Sequence, residues 1–129
     1  DIGNADTNAL NLAINTLIAV KNIGYPEARI PLAQCVVYLA SAVKSNSSYE
    51  AINKALNFVQ NNPPLPILPH LDNNNPAVKN YLYPHDFNGY VKQQYLAKPL
   101  KFYESKGLGA EKKLHEWLQM MKKQSENER

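Results

Sequence analysis

The sequence predicts an all-α fold, and three observations carry that prediction. Four stretches place apolar residues at i, i+3, i+4 and i+7, the spacing of a helix face. Capping and breaking residues bound those stretches. Nowhere does an apolar–polar alternation run long enough for a sheet, and a lone strand is marginal. The expected helices are about 7–22, 30–44, 48–61 and 110–124, with an irregular Pro/Tyr-rich segment between the last two. At 129 residues and 44% hydrophobic, the chain reads as one domain with enough apolar surface to fold.

The first helix starts at Asp6 or Thr7, either of which can cap free N–H groups. Leu10, Ala13, Ile14, Leu17 and Ile18 form its apolar stripe, and Gly24 ends it as a left-handed cap. Pro26 opens a short turn, and Pro31 fits the first turn of the next helix. In that second helix Leu32, Cys35, Val36, Leu39, Ala40 and Val43 share one face, while Ala33, Val37 and Tyr38 add apolar surface on another. A helix apolar nearly all round is buried on several sides, so this one is expected to be central.

The third helix begins at Ser47-Ser48-Tyr49-Glu50, a capping box in which Ser47 takes the Glu50 N–H and Glu50 reaches back. Its core face is Ile52, Ala55, Leu56 and Val59, widened by Ala51 and Phe58. Asn61-Asn62-Pro63-Pro64 ends it. Pro63 to Pro69 is expected to be extended and polyproline-like, with Leu65, Ile67 and Leu68 against the core. Turns are expected at Pro84-His85-Asp86 and Asn88-Gly89, a helical turn at Val91–Leu96, and a short strand or an extended arm at Leu100–Tyr103. Gly107 and Gly109 break the chain before the last helix, whose face is Leu114, Trp117, Leu118 and Met121. Ser125–Arg129 reads as a fraying polar tail.

Composition narrows the function classes that can be argued. A net charge of +3, from 14 basic and 11 acidic residues, is too weak to argue nucleic-acid binding. Lys112, Lys113, Lys122 and Lys123 alternate with Glu111, Glu116 and Glu126 as a solvated helix face does. No apolar run reaches the roughly 20 residues of a membrane span. The start at Asp1-Ile2-Gly3, without Met or a signal peptide, reads as the middle of a longer protein. The single cysteine leaves no internal disulfide and fits a reducing compartment.

His70, His85 and His115 have no metal-ligand spacing. Lys106-Gly107-Leu108-Gly109 is not a phosphate cradle. His85 beside Asp86 offers an acid–base pair, but adjacent residues in a turn rarely work together without a third group, so a structural turn is the preferred reading. Arg29, at the start of the second helix, pairs locally with Glu27 or Asp6 or reaches across an interface. The residues from Tyr81 to Tyr103, with Lys79, Lys92, Lys98 and Lys101, can stack on single-stranded bases or fill the edge of the core; the core edge is preferred.

Together these strings resemble one family. They are Asp1-Ile2-Gly3-Asn4-Ala5-Asp6, then Gly24-Tyr25-Pro26-Glu27-Ala28-Arg29-Ile30-Pro31-Leu32-Ala33-Gln34, and then Tyr38-Leu39-Ala40-Ser41-Ala42 with Lys44-Ser45-Asn46 and Tyr49. Pro69-His70-Leu71, Tyr83-Pro84-His85-Asp86, Gln93-Gln94-Tyr95-Leu96 and Phe102-Tyr103-Glu104 continue the series. The pattern spans nearly the whole chain and resembles the C-terminal region of the RarA/MgsA AAA+ ATPases, relatives of the clamp-loader ATPases that act in replication-associated recombination.

That resemblance implies a helical C-terminal domain similar to clamp-loader oligomerisation domains. It implies a homo-tetrameric, cytoplasmic parent that acts on DNA at stalled forks and ends. ATP and Mg2+ would belong to an ATPase module outside this chain, leaving no catalytic, cofactor or metal residue here. Arg29, Leu39, Lys44, Tyr49, His85, Asp86 and Tyr95 become interface or structural candidates. The alternative is a monomeric module that binds protein or single-stranded DNA through residues 79–103. Two departures stand out. Val43 replaces a usual proline and is expected to lengthen the second helix by a turn at most. Residues 72–82 are shorter than in the family, and lack its arginine and glycines.

One consequence is testable on the chain itself. A thiol within an apolar stripe has little access to reagents. A thiol reagent is therefore expected to label Cys35 slowly in the native protein and fast after unfolding; fast native labelling would refute the assignment.

Overall fold

The structure is a computed structural model and describes residues 1–127. It contains four α-helices: α1 Asn8–Ile23, α2 Arg29–Ser41, α3 Ser47–Asn61 and α4 Ala110–Asn127. Short 3-10 turns lie at Gly3–Ala5, Pro69–Leu71, Pro76–Asn80 and Pro84–Phe87, and no strand occurs among the described residues. The all-α expectation is met. The chain divides into two compact units, one of Asp1–Asn53 with Tyr103–His115, the other of Lys54–Phe102 with the chain from Glu116 on.

In the first unit, Asp6 caps α1 by accepting the Asn8 N–H at 3.0 Å. Its second oxygen accepts the Tyr38 hydroxyl at 2.7 Å, tying the far end of α2 to the start of α1. That bond holds the Tyr38 phenol above its usual value near 10. Gly24, at φ 72°, ends α1 as expected, and Pro31 sits harmlessly in the first turn of α2. The two helices form an antiparallel hairpin. It buries Ala9 and Thr16 on α1, and Ala28 and Cys35 on the turn and α2. The Thr16 hydroxyl donates to the Leu12 carbonyl at 2.7 Å, so its burial leaves no polar atom unpaired.

This packing corrects several expectations. The in-chain face of α1 is the small-residue row Ala9, Ala13 and Thr16, while Leu10, Ile14, Leu17 and Ile18 point to solvent. Small residues allow close helix approach, and the bulky row is turned outward. Helix α2 is not buried on several sides: Cys35 is buried, Leu32 and Leu39 are half-buried, but Val36, Val37, Ala40 and Val43 are exposed. Nor does Val43 lengthen the helix, because Ala42 is already extended at ψ 142°. The α3 face is likewise reversed. Ala51, Ala55 and Phe58 are half-buried, whereas Ile52, Leu56 and Val59 are exposed.

The centre of this unit is polar. Glu111, in the first turn of α4, is 0% exposed. Its carboxylate accepts the Ser45 hydroxyl at 2.7 Å, the Tyr103 hydroxyl at 2.6 Å, and the Ser47 hydroxyl. The capping box at Ser47 is therefore not made. Glu50 instead accepts from Asn46 at 3.1 Å and pairs with Lys106 at 2.9 Å. Gly109, at φ 56°, leads into the same turn; any Cβ there would collide with the Ala5 carbonyl. The Ser45 N–H donates to the Ile2 carbonyl at 3.2 Å, which brings the N-terminal turn to the same place.

In the second unit the proline segment is extended as expected. Leu65 and Leu68 are half-buried, but Ile67 is exposed. Phe58 packs on Phe102 with ring centroids 5.8 Å apart, and Lys98 lies over Phe58. His70 Nε2 donates to the Gln94 carbonyl at 2.7 Å. Val91–Leu96 is not a helical turn, because its polar groups bond to distant partners. The Lys92 N–H donates to the Ser125 hydroxyl at 3.0 Å, and the Gln93 side chain bonds Leu82. Ser125 is buried and helical rather than part of a frayed tail; residues 128–129 of that tail lie outside the described residues. On α4, Leu118 and Met121 are half-buried, while Leu114 and Trp117 are exposed.

Burial raises the Glu111 carboxyl pKa, but the hydroxyls of Ser45, Ser47 and Tyr103 and a backbone bond at Lys106 outweigh it and hold it below the ordinary glutamate value. The ionised form thus stabilises the fold above the ordinary value near 4.3, and that contribution is lost as pH falls through the lower folded value. Glu111→Ala is expected to cost roughly 3 kcal/mol, because it leaves buried hydroxyls without an acceptor. Urea titrations from pH 7 down to 3 check both effects: Glu111→Gln should remove this part of the acid dependence.

Candidate functional site

The largest exposed apolar rows of the first unit lie on the α1–α2 hairpin. On α1, Leu10 is 73% exposed, and Ile14, Leu17 and Ile18 are each about half exposed. They occupy i, i+4, i+7 and i+8, one continuous helix face. On α2, Ile30, Ala33, Val37 and Ala40 fall at i, i+3, i+7 and i+10, and all are exposed, Val37 at 65%. Val36 adjoins this row at 63% exposure. A cleft of about 480 Å3 opens beside Leu10, lined also by Ile2, Gly3, Thr7, Leu39 and Ser48. No titratable side chain belongs to either row, so the surface offers burial rather than acid–base chemistry.

The sequence-derived candidates are dispersed. The Arg29 guanidinium donates to the Pro26 carbonyl at 2.9 Å, within its own turn; neither Glu27 nor Asp6 is its partner. Leu39 is half-buried at the cleft. The Lys44 ammonium donates to the carbonyls of Leu39 at 2.9 Å, Ala40 at 3.2 Å and Ala42 at 2.6 Å, capping the C-terminus of α2. Tyr49 is exposed on α3.

In the second unit, His85 and Asp86 are exposed in the 3-10 turn Pro84–Phe87. His85 packs on Tyr83 with centroids 4.8 Å apart, an aromatic contact in a structural turn. The Tyr95 hydroxyl accepts from Gln93 at 3.0 Å. Among the described residues, no three His, Cys, Asp or Glu side chains are grouped to hold a metal ion. No helix among them is long and apolar enough to cross a membrane.

Sequence reasoning missed Glu111 and Gln93. Glu111 reads as one more charge on a solvated helix, because its acceptors' partners Ser45 and Ser47 lie 66 and 64 residues away. The one local hint was an acidic residue in a first turn that follows two glycines.

With this architecture in view, the chain belongs to the family described as MgsA AAA+ ATPase C terminal, whose model matches residues 1–122. It is similar to an uncharacterised protein of Thermotoga maritima, 40% identical over 94% of this chain and 21% of that protein. It is also similar to proteins named replication-associated recombination protein A. The one from Bacillus subtilis is 38% identical over 84% of this chain and 28% of the relative. The one from Coxiella burnetii is 35% identical over 98% of this chain and 31% of the relative. The chain thus spans less than a third of the length of these relatives.

The cap at the end of α2 yields a prediction. Lys44→Met keeps the aliphatic stem but leaves three carbonyls without their ammonium donor. It should cost about 1 kcal/mol in a denaturant titration, and Lys44→Arg should recover part of it.

Proposed function

We propose that this chain is the assembly domain of a AAA+ ATPase that works in DNA replication, repair and recombination. The observation that carries this reading is the pair of outward apolar rows on α1 and α2. A monomer rarely leaves a contiguous apolar patch larger than a few hundred Å2 in water, and each Å2 buried returns about 25 cal/mol. Further copies of the same chain are the partner, joined in a closed homo-tetramer. Leu10, standing proud beside the cleft at Leu39, gives the surface both a ridge and a hollow.

In this reading the domain holds several ATPase modules in register, so that nucleotide-driven motions act together on DNA. ATP and Mg2+ belong to those modules, and the assembly works in the cytoplasm. The names of the relatives support the cellular process, and the family match supports the place of this domain in the protein. Arg29 and Tyr49 are exposed on the same unit.

Light scattering over a wide concentration range tests the proposal. The expected mass is about 58 kDa, four copies of a 14.5 kDa chain. Ile14→Glu and Val37→Asp, both at exposed positions, should shift it toward the monomer while leaving far-UV circular dichroism unchanged. A firm monomer at every concentration refutes assembly through this chain.

A further inference from the structure

The one Asn-Gly pair in the chain, Asn88-Gly89, lies in the second unit at the end of the 3-10 turn Pro84–Phe87. Such a pair carries its own chemistry. The backbone nitrogen of the glycine can attack the side-chain amide carbon of the asparagine, and glycine, lacking a side chain, leaves the approach open. The nitrogen gives its proton to hydroxide and a new C–N bond closes a succinimide ring. The side-chain nitrogen leaves as ammonia, taking a proton from water. Water then opens the ring at either carbonyl, giving aspartate or isoaspartate. Both residues are exposed, and a Cβ added to Gly89 would meet no atom within 4 Å, so water reaches the pair.

The turn opposes this attack in two ways. The nucleophile is occupied: the Gly89 N–H donates to the Pro84 carbonyl at 2.9 Å, and the Asn88 N–H donates to the same oxygen. A hydrogen-bonded N–H is harder to deprotonate, and its nitrogen is held in place. The backbone is also wrongly turned. Asn88 is left-handed, at φ 57° and ψ 30°. At that ψ the Gly89 nitrogen lies nearly opposite the Asn88 Cβ about the Cα–C bond, away from the carbon it would attack. Asparagine is among the few residues besides glycine that accept this cap position. The cap in turn keeps the asparagine inert. The Tyr90 N–H, donating to the Phe87 carbonyl at 3.3 Å, closes the far side of the turn.

We propose that Asn88-Gly89 is a latched modification site. Closed, the turn preserves the amide; opened, it commits Asn88 to an irreversible carboxylate. A modification that is slow beside opening and closing tracks the open population, so the reaction records how often this turn opens. The isoaspartate product lengthens the main chain by a carbon and cannot adopt the same cap. The aspartate product sets a second carboxylate two residues from Asp86. Either product alters the turn that carries His85 and Asp86 for the remaining life of the chain. This goes beyond the assembly reading and does not rest on it.

The test incubates the full chain in mildly alkaline buffer, with and without denaturing urea, and follows Asn88 by peptide mass spectrometry. In urea Asn88 should convert to a mixture of aspartate and isoaspartate. In the native chain conversion should be roughly tenfold slower or more, since a hydrogen bond must first be given up. Pro84→Gly removes the ring that pre-sets the turn; it should raise the native rate roughly 2- to 5-fold and leave the rate in urea unchanged. Circular dichroism checks that this variant folds. The Gly89 amide of the parent should also be protected in native-state hydrogen exchange. No conversion at Asn88 in urea overturns the site. Equal rates with and without urea, or rapid exchange at the Gly89 amide, overturn the latch, as does a parent-like native rate in folded Pro84→Gly.

Discussion

The buried carboxylate of Glu111 is the constraint on which the first unit depends. A glutamate taken wholly out of water is costly unless its oxygens are satisfied. Here no cation does this; hydroxyls from Ser45, Ser47 and Tyr103 do, with the backbone at Lys106. Those donors come from the link between α2 and α3, the first residue of α3, and the arm before α4. One side chain therefore fixes three segments that are remote in sequence. It sits in the first turn of α4, where the free N–H groups of a helix favour a negative charge.

A polar centre explains why the apolar side chains are distributed as they are. The hairpin of α1 and α2 closes on alanines, a threonine and a cysteine, which fill little volume and permit close approach. The bulky aliphatics then have no room inside the pair and line its outer faces. The α2 helix, apolar on nearly every side, has one face served by α1, and its remaining faces meet water in the single chain. That arrangement is costly for an isolated monomer and natural for a subunit.

The second unit follows a different logic. Its long proline- and tyrosine-rich segment has little regular backbone bonding, so side chains take over that task. Gln93 stands in for a strand against Leu82, His70 holds the Gln94 carbonyl, and Ser125 receives the Lys92 N–H. Such a segment can hold a defined path without helices, and it leaves Tyr83 and Tyr95 about half exposed.

The sequence alone determined the class of fold, the four helices and most of their ends. Helical periodicity, Gly24, Pro31 and the Asp6 cap act within a few residues, so local physics suffices to read them. The family, too, was legible, because its strings run in order along nearly the whole chain. Tertiary structure decided which side of each helix faces inward. A periodic stripe shows that a helix has an apolar face, but not whether its own chain covers it; Leu10, Ile14 and Val37 were misread for that reason. It also decided the roles of Glu111, Ser47 and Gln93. Glu111 bonds Ser45 and Ser47, and Gln93 bonds Leu82, across 11 to 66 residues, and a hydrogen bond between distant segments leaves no mark on the spacing of either one.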